Sequence, residues 1–195
     1  TTIEHNLNYS YKIFNLKEKY QQFIGGKTKA LISPLESLDF IDKKSFKILS
    51  IGPRNEGELF LIRSFGYDWK NINAIDLHTY SKKIKLGDMH EIKFNNNSFD
   101  LIISGWTLAY SSNKKKALDE IIRVSKKNAI ISIGFTFVPE SETVKMKNND
   151  YKLFSTKQLI EYYNIKKENI LFNFDSYENN KNEKRHSIVI FRIEK

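Results

Sequence analysis

Residues 47–59 read KILSIGPRNEGEL. The apolar run Ile48, Leu49, Ile51 stops at Gly52, a polar turn follows, and a new apolar periodicity begins after Gly57. A short buried strand, a tight loop and a helix start produce that order. In an open α/β sheet, ligands bind beyond the carboxyl ends of such strands, where the first backbone N–H groups of the next helix are unpaired. This loop is therefore the expected centre of the molecule.

Downstream of it, strand and helix patterns alternate. Strands are expected over 47–52, 72–76, 84–87, 100–104 and 128–134, and helices over 57–65 and 113–125. That alternation predicts a parallel sheet built from βαβ units. The link Leu77–Lys83 is too short for a crossover helix, which needs about a dozen residues, so a single turn or bare loop is expected there. Ser155 is placed to cap a further helix through Leu159, Ile160 and Tyr163. Two strand-like runs, Asn169–Phe174 and Ser187–Ile193, then predict an antiparallel pair that completes the sheet, with a polar loop expected over 139–153 and a polar link over Ser176–Arg185. The fold class expected is a doubly wound, mostly parallel α/β sheet in three layers.

Ahead of the central strand, Tyr9, Ile13, Phe14, Leu16, Tyr20 and Phe23 recur at helical spacing, and Gly25-Gly26 suits a C-cap. A second short helix is expected after Ser33 as N-cap, with Pro34 in its first turn, Leu35, Leu38 and Ile41 on its apolar face and Phe40 alongside. Residues 1–45 thus read as a helical cap on a globular unit spanning 46–195, able to cover a sheet edge or to close over a ligand.

A chain of 195 residues is large enough for one substantial core. No apolar run approaches the ~20 residues of a membrane span, and no signal-peptide pattern appears, so no membrane partner is expected. The lack of cysteine excludes thiolate metal sites and fits the cytoplasm. The net charge of +9 raises nucleic acid as a partner. The charge, however, is mostly lysine scattered in pairs beside abundant asparagine, which reads as compositional bias more than as a designed groove, and nucleic acid is not favoured.

Four features fall at the ends of successive strands: the loop Gly52, Pro53, Arg54 to Gly57; Asp76 with Leu77; Gly87-Asp88-Met89-His90; and Ser104-Gly105-Trp106-Thr107. A strand-terminal aspartate is often only a turn residue. Four such features in register point to a ligand site, and Asp76 lies at the distance expected of a ribose-binding acid.

This order, with GDMHEIKFNNNSFDLIISGWTLAY at residues 87–110, resembles the class I S-adenosylmethionine-dependent methyltransferases. Gly87-Asp88, Phe94 and Ser98-Phe99-Asp100 carry the likeness, which is good over about 46–137. The resemblance implies S-adenosylmethionine as cofactor. It sets the Gly52–Gly57 loop against the methionine part, Asp76 on the ribose hydroxyls and Asp88 on the adenine amino group. Met89 and Leu77 would pack on the ring, and Gly105 and Trp106 would lie beside the sulfonium and substrate. Two departures stand out. Ser50 replaces an acid while Arg54 takes a glycine position, so Arg54 pairs either with the cofactor carboxylate or locally with Glu56 or Glu58. Ser125–Asn128 replaces a Pro-Gly-Gly turn, which Asn128 tolerates because asparagine accepts left-handed backbone.

Methyl transfer is an in-line displacement that positioning can accelerate, so a base is optional. His90 and Tyr110 are the candidate catalytic groups; either could equally serve structure. His5, His78 and His186 show no ligand spacing, and no metal site is expected. A small molecule or sugar-type metabolite is the expected substrate. The alternatives are an RNA methyltransferase and an inactive cofactor-binding regulator. A nicotinamide dehydrogenase is disfavoured because no Gly-x-Gly-x-x-Gly follows the first strand.

Overall fold

The computed structural model describes residues 27–137, 155–175 and 185–195. The helix expected over Tyr9–Phe23 with its Gly25-Gly26 cap, and most of the polar stretches 139–153 and 176–185, lie outside these residues.

Among the described residues, seven strands form one sheet in the order β3-β2-β1-β4-β5-β7-β6. They are β1 (Ile48–Ile51), β2 (Ile72–Asp76), β3 (Ile84–Leu86), β4 (Phe99–Gly105), β5 (Ser125–Phe137), β6 (Ile170–Asp175) and β7 (Arg185–Arg192). Strands β3 to β5 in that order pair in parallel, and β7 enters antiparallel to both β5 and β6. The order reverses between β1 and β4, which places a crevice beyond their carboxyl ends. The expected architecture is the observed one.

Side-chain alternation explains the three layers. Along β4, Leu101 and Ile103 enter one core with Leu31, Leu59 and Ile62, whereas Ile102 enters the other with Leu118 and Ile121. The first face is covered by α1 (Lys27–Ile32) and α2 (Glu56–Ser64), the second by α3 (Lys114–Val124) and α4 (Thr156–Tyr162). Each buried Leu or Ile contributes roughly 1.5–3 kcal/mol relative to exposure, so the two faces dominate stability. Buried Ser132 of β5 donates to the Leu31 carbonyl at 2.9 Å, which satisfies one terminal carbonyl of α1 and docks that helix on the sheet.

The helices start where their caps allow. Asn55 accepts from the Gly57 N–H at 2.9 Å, Asn113 from Lys116 at 3.0 Å, and Ser155 from Gln158 at 3.3 Å. The expected helix capped by Ser33 is instead a 3-10 turn over Ser33–Ser37 running straight on from α1. Ser33 makes no cap because Ile32 before it is already helical, and Phe40, expected alongside, stays 46% exposed beneath the Arg192 guanidinium. Leu77–Lys83 is a loop, and β3 is a short edge strand. Asn128 takes φ 62°, the left-handed conformation expected of it, where β5 shifts register against β4.

Candidate functional site

The carboxyl ends of β1, β2, β3 and β4 surround a cleft of about 270 Å³. The structure brings Gly52, Arg54, Asp76, Leu77, Gly87, Asp88, Met89, His90, Gly105, Trp106 and Tyr110 to its wall. Two residues singled out in the sequence are elsewhere. Pro53 is buried behind the loop, and Gly57 sits in the first turn of α2, held by Asn55. Thr107, from the feature after β4, also lines the cleft, as do Ile51, Ile75, Ser111 and Ser112, which were missed. The polar run Tyr110-Ser111-Ser112 after β4 was the signal for two of them.

The floor is a close contact between β1 and the segment after β4. Gly52 has φ 70°, and its N–H donates to the Ile75 carbonyl at 2.8 Å. A Cβ there would lie 1.9 Å from Thr107 Cγ2. Thr107 in turn donates its hydroxyl to the Ile51 carbonyl at 3.1 Å and meets Ser104 Oγ at 3.1 Å. Glycine is required here both for the turn and for the approach.

Trp106 closes the neighbouring wall. It is 4% exposed and holds φ 61°, a conformation costing roughly 1–3 kcal/mol for a bulky residue and found mostly where function requires it. Its backbone N–H donates to the Gly134 carbonyl at 2.7 Å, Lys27 Nζ stands 5.0 Å over its ring, and the His186 ring meets it edge-to-face with centroids 5.0 Å apart. Burial, then the Lys27 charge, depress the His186 pKa.

Two carboxylates face the cleft from adjacent strand ends, and their environments differ. Asp76 is 9% exposed and accepts from the His78 N–H at 3.1 Å. Burial pushes its pKa up, against the opposing pull of the His78 and Leu77 amides and of the His78 and Arg54 charges. For Asp88, burial also acts upward, but the His90 N–H and ring together with the Lys116 charge outweigh it and hold the carboxyl below its ordinary range. Asp88 is thus an anion even in mild acid.

The loop carrying Asp88 is strapped to α3. Arg123 forms a two-pronged pair with Glu120 at 2.6 and 2.8 Å, and donates to the Ile92 and Phe94 carbonyls at 2.6 and 2.9 Å and to Asn96 at 2.8 Å. Glu120 also accepts the Ile92 N–H at 2.7 Å. Planar bidentate pairing of this kind fixes orientation as well as distance.

Arg54 lies between the two options open for it. Its backbone N–H donates to Glu58 at 3.2 Å, and its charge acts on both Glu58 and Asp76. Glu58 also accepts the Thr28 hydroxyl at 2.5 Å, tying α2 to α1 behind the cleft. Glu58 keeps some exposed surface, yet burial of its carboxylate raises its pKa, opposed by Thr28 and Arg54. A raised carboxylate pKa means that the folded chain binds the proton more tightly than the unfolded one. Stability from this group therefore declines as pH rises from the ordinary value of 4.5 through the raised one. Glu58→Gln is expected to flatten that decline in denaturant midpoints measured from pH 4 to 8; an unchanged slope would show that Glu58 is not the group responsible.

Among the described residues, no helix is long and apolar enough to cross a membrane.

A family model described as a methyltransferase domain matches residues 62–133. Among solved structures, the chain is similar to a Galdieria sulphuraria protein assigned as a sarcosine dimethylglycine methyltransferase, at 24% identity and TM-score 0.50, with 57% of this chain and 46% of that one covered. It therefore spans less than half the length of that relative. A Burkholderia thailandensis 1,6-didemethyltoxoflavin-N1-methyltransferase, solved with 1,6-didemethyltoxoflavin and S-adenosylhomocysteine, aligns at 10% identity and TM-score 0.62, covering 99% and 88%. The [4+2]-cyclase SpnF aligns at 14% identity and TM-score 0.61, covering 86% and 79%. No curated protein matches. At such identities the structural likeness concerns the fold, which also supports a cyclase. The matched stretch contains the strand-end acids and the segment after β4, so over residues 62–133 the chain is similar to a methyltransferase domain.

Proposed function

We propose that the chain transfers the methyl group of S-adenosylmethionine to an O or N atom of a small molecule or sugar-type metabolite. The observation that carries this reading is the pair Asp76 and Asp88 at the ends of adjacent parallel strands, facing one cleft whose floor is the Gly52 turn. The residues suit the cofactor. Asp76 has acceptor capacity for two ribose hydroxyls beyond its bond to His78, Asp88 can take an amino group, and exposed Leu77 offers an apolar surface to a ring. A bound cofactor would supply an electrophilic methyl on its sulfonium.

The chain's own contribution is positioning and exclusion of water. Gly105 and buried Trp106 wall the end of the cleft where the acceptor would enter, and Tyr110, 63% exposed, stands at the mouth as the group to orient it. His90 does not offer a free nitrogen. Its Nδ1 lies 2.6 Å from Asp88 and its Nε2 2.7 Å from Ser111. Proton removal by His90 would therefore run through the Ser111 hydroxyl or require that bond to open.

Calorimetric titration with S-adenosylmethionine and S-adenosylhomocysteine tests the cofactor reading. Micromolar binding of both is expected, followed by methyl acceptance in a screen of metabolites. No heat at millimolar cofactor would defeat it.

A further inference from the structure

Asp88, His90 and Ser111 form a continuous hydrogen-bonded chain across the cleft. The His90 backbone N–H donates to Asp88 Oδ1 at 2.8 Å, and the ring Nδ1 meets the same oxygen at 2.6 Å. On the other side, Ser111 Oγ lies 2.7 Å from Nε2, and the Asn113 N–H points to Nε2 at 3.4 Å and to Ser111 Oγ at 3.2 Å. A backbone donor on Nε2 assigns that nitrogen as the acceptor, which puts the ring proton on Nδ1 and directs it to Asp88. The Ser111 hydroxyl then donates to Nε2. Ser111 is only 6% exposed and comes from the segment after β4, whereas Asp88 and His90 follow β3. The chain therefore bridges two walls of the cleft.

Its effect falls on Asp88. Both local donors converge on Oδ1, while Oδ2 takes no hydrogen bond among the described residues and the side chain is half exposed. An aspartate on a loop would otherwise lose rotamer freedom on binding a ligand; here that freedom is already restricted.

We propose that Ser111 is a positioning residue for purine selectivity: through the His90 imidazole it holds the Asp88 carboxylate with one oxygen occupied and the other presented to an exocyclic amino group. The inference rests on the methyltransferase reading and on Asp88 facing the base. It makes the discrimination between a 6-amino and a 6-oxo purine depend on a residue that touches neither. In metal sites, removing an outer partner that orients a ligating side chain commonly changes affinity by about 10- to 100-fold, and the lower end of that range is the measure used for this carboxylate.

The test compares S-adenosylhomocysteine with S-inosylhomocysteine, in which an oxo group replaces the amino group. Ser111→Ala is expected to weaken the adenosyl ligand about tenfold and to leave the inosyl ligand nearly unchanged, so that the preference between them collapses. Ser111→Thr keeps the hydroxyl and should restore the preference. A general loosening of the cleft would weaken both ligands alike and would overturn the proposal, as would an unaltered preference in Ser111→Ala. If the wild-type protein binds neither ligand, the cofactor reading fails and the relay with it. If it binds and discriminates while Ser111→Ala discriminates equally, the relay alone fails.

Discussion

Asp76→Ala is expected to weaken S-adenosylmethionine binding by roughly 1–3 kcal/mol, the range for losing a hydrogen bond to a charged acceptor. That corresponds to about 5- to 150-fold in the dissociation constant. Asp76 is 9% exposed, and burial raises its pKa, so folding disfavours its ionised form. A group kept at such a disadvantage is more readily explained by a ligand than by stability. Asp76→Asn separates the two. The amide oxygen can still accept the His78 N–H, which is 3.1 Å from Oδ1 in the native chain, while the buried charge is gone. The asparagine variant should bind cofactor weakly yet unfold, at neutral pH, no more easily than the native protein. Calorimetry and denaturant unfolding read the two quantities independently. Unchanged binding in Asp76→Ala would remove this residue from the site.

Gly52→Ala is expected to cost more. Left-handed backbone at φ 70° is worth roughly 1–2 kcal/mol against a residue with a Cβ. The added methyl would sit 1.9 Å from Thr107 Cγ2, and relieving such a contact typically costs a further ~1–3 kcal/mol. The sum lowers the melting temperature by about 2–4 °C per kcal/mol in a chain of this size. Cofactor affinity should fall as well, because Thr107 is displaced from the Ile51 carbonyl that it holds at 3.1 Å. Thr107→Ser removes the clashing methyl and keeps the hydroxyl. Combined with Gly52→Ala, it should recover the steric part of the loss and leave the backbone part. Coupling between the two substitutions, measured by a double-mutant cycle, is the decisive quantity. Simple additivity would mean that the two residues do not touch.

The fold was legible because its signals are local and repeated. Apolar runs of four to seven residues ending in Gly52, Asp76 and Gly105 mark parallel strands, and each ends at the cleft. The cap at Ser155 follows from a side chain that reaches the next turn. Ser33 misled because a side chain can cap only where the chain enters a helix from outside, and α1 already occupied that entry. Arg54 illustrates a different limit. Glu56 and Glu58 are visible two and four residues on, but Asp76 comes within its electrostatic reach only through strand pairing, and Thr28 meets Glu58 from 30 residues away. The bond from Ser111 to His90 spans 21 residues and two strand ends, so no sequence window contains it. Local chemistry named the acids of the cleft; tertiary structure decided what holds them.

The strap from α3 has a bearing on which cation can stand at position 123. Arginines number five among 32 basic residues, in a composition that otherwise favours lysine. At position 123 one flat cation serves a carboxylate, two carbonyls and an amide at once. A lysine could keep the charge but, with a single nitrogen, could not reach these acceptors from one place. Position 123 is thus one place in this lysine-rich chain where the two cations are not interchangeable, and the reason is geometric: a planar fork meets acceptors of the Asp88 loop and of α3 together.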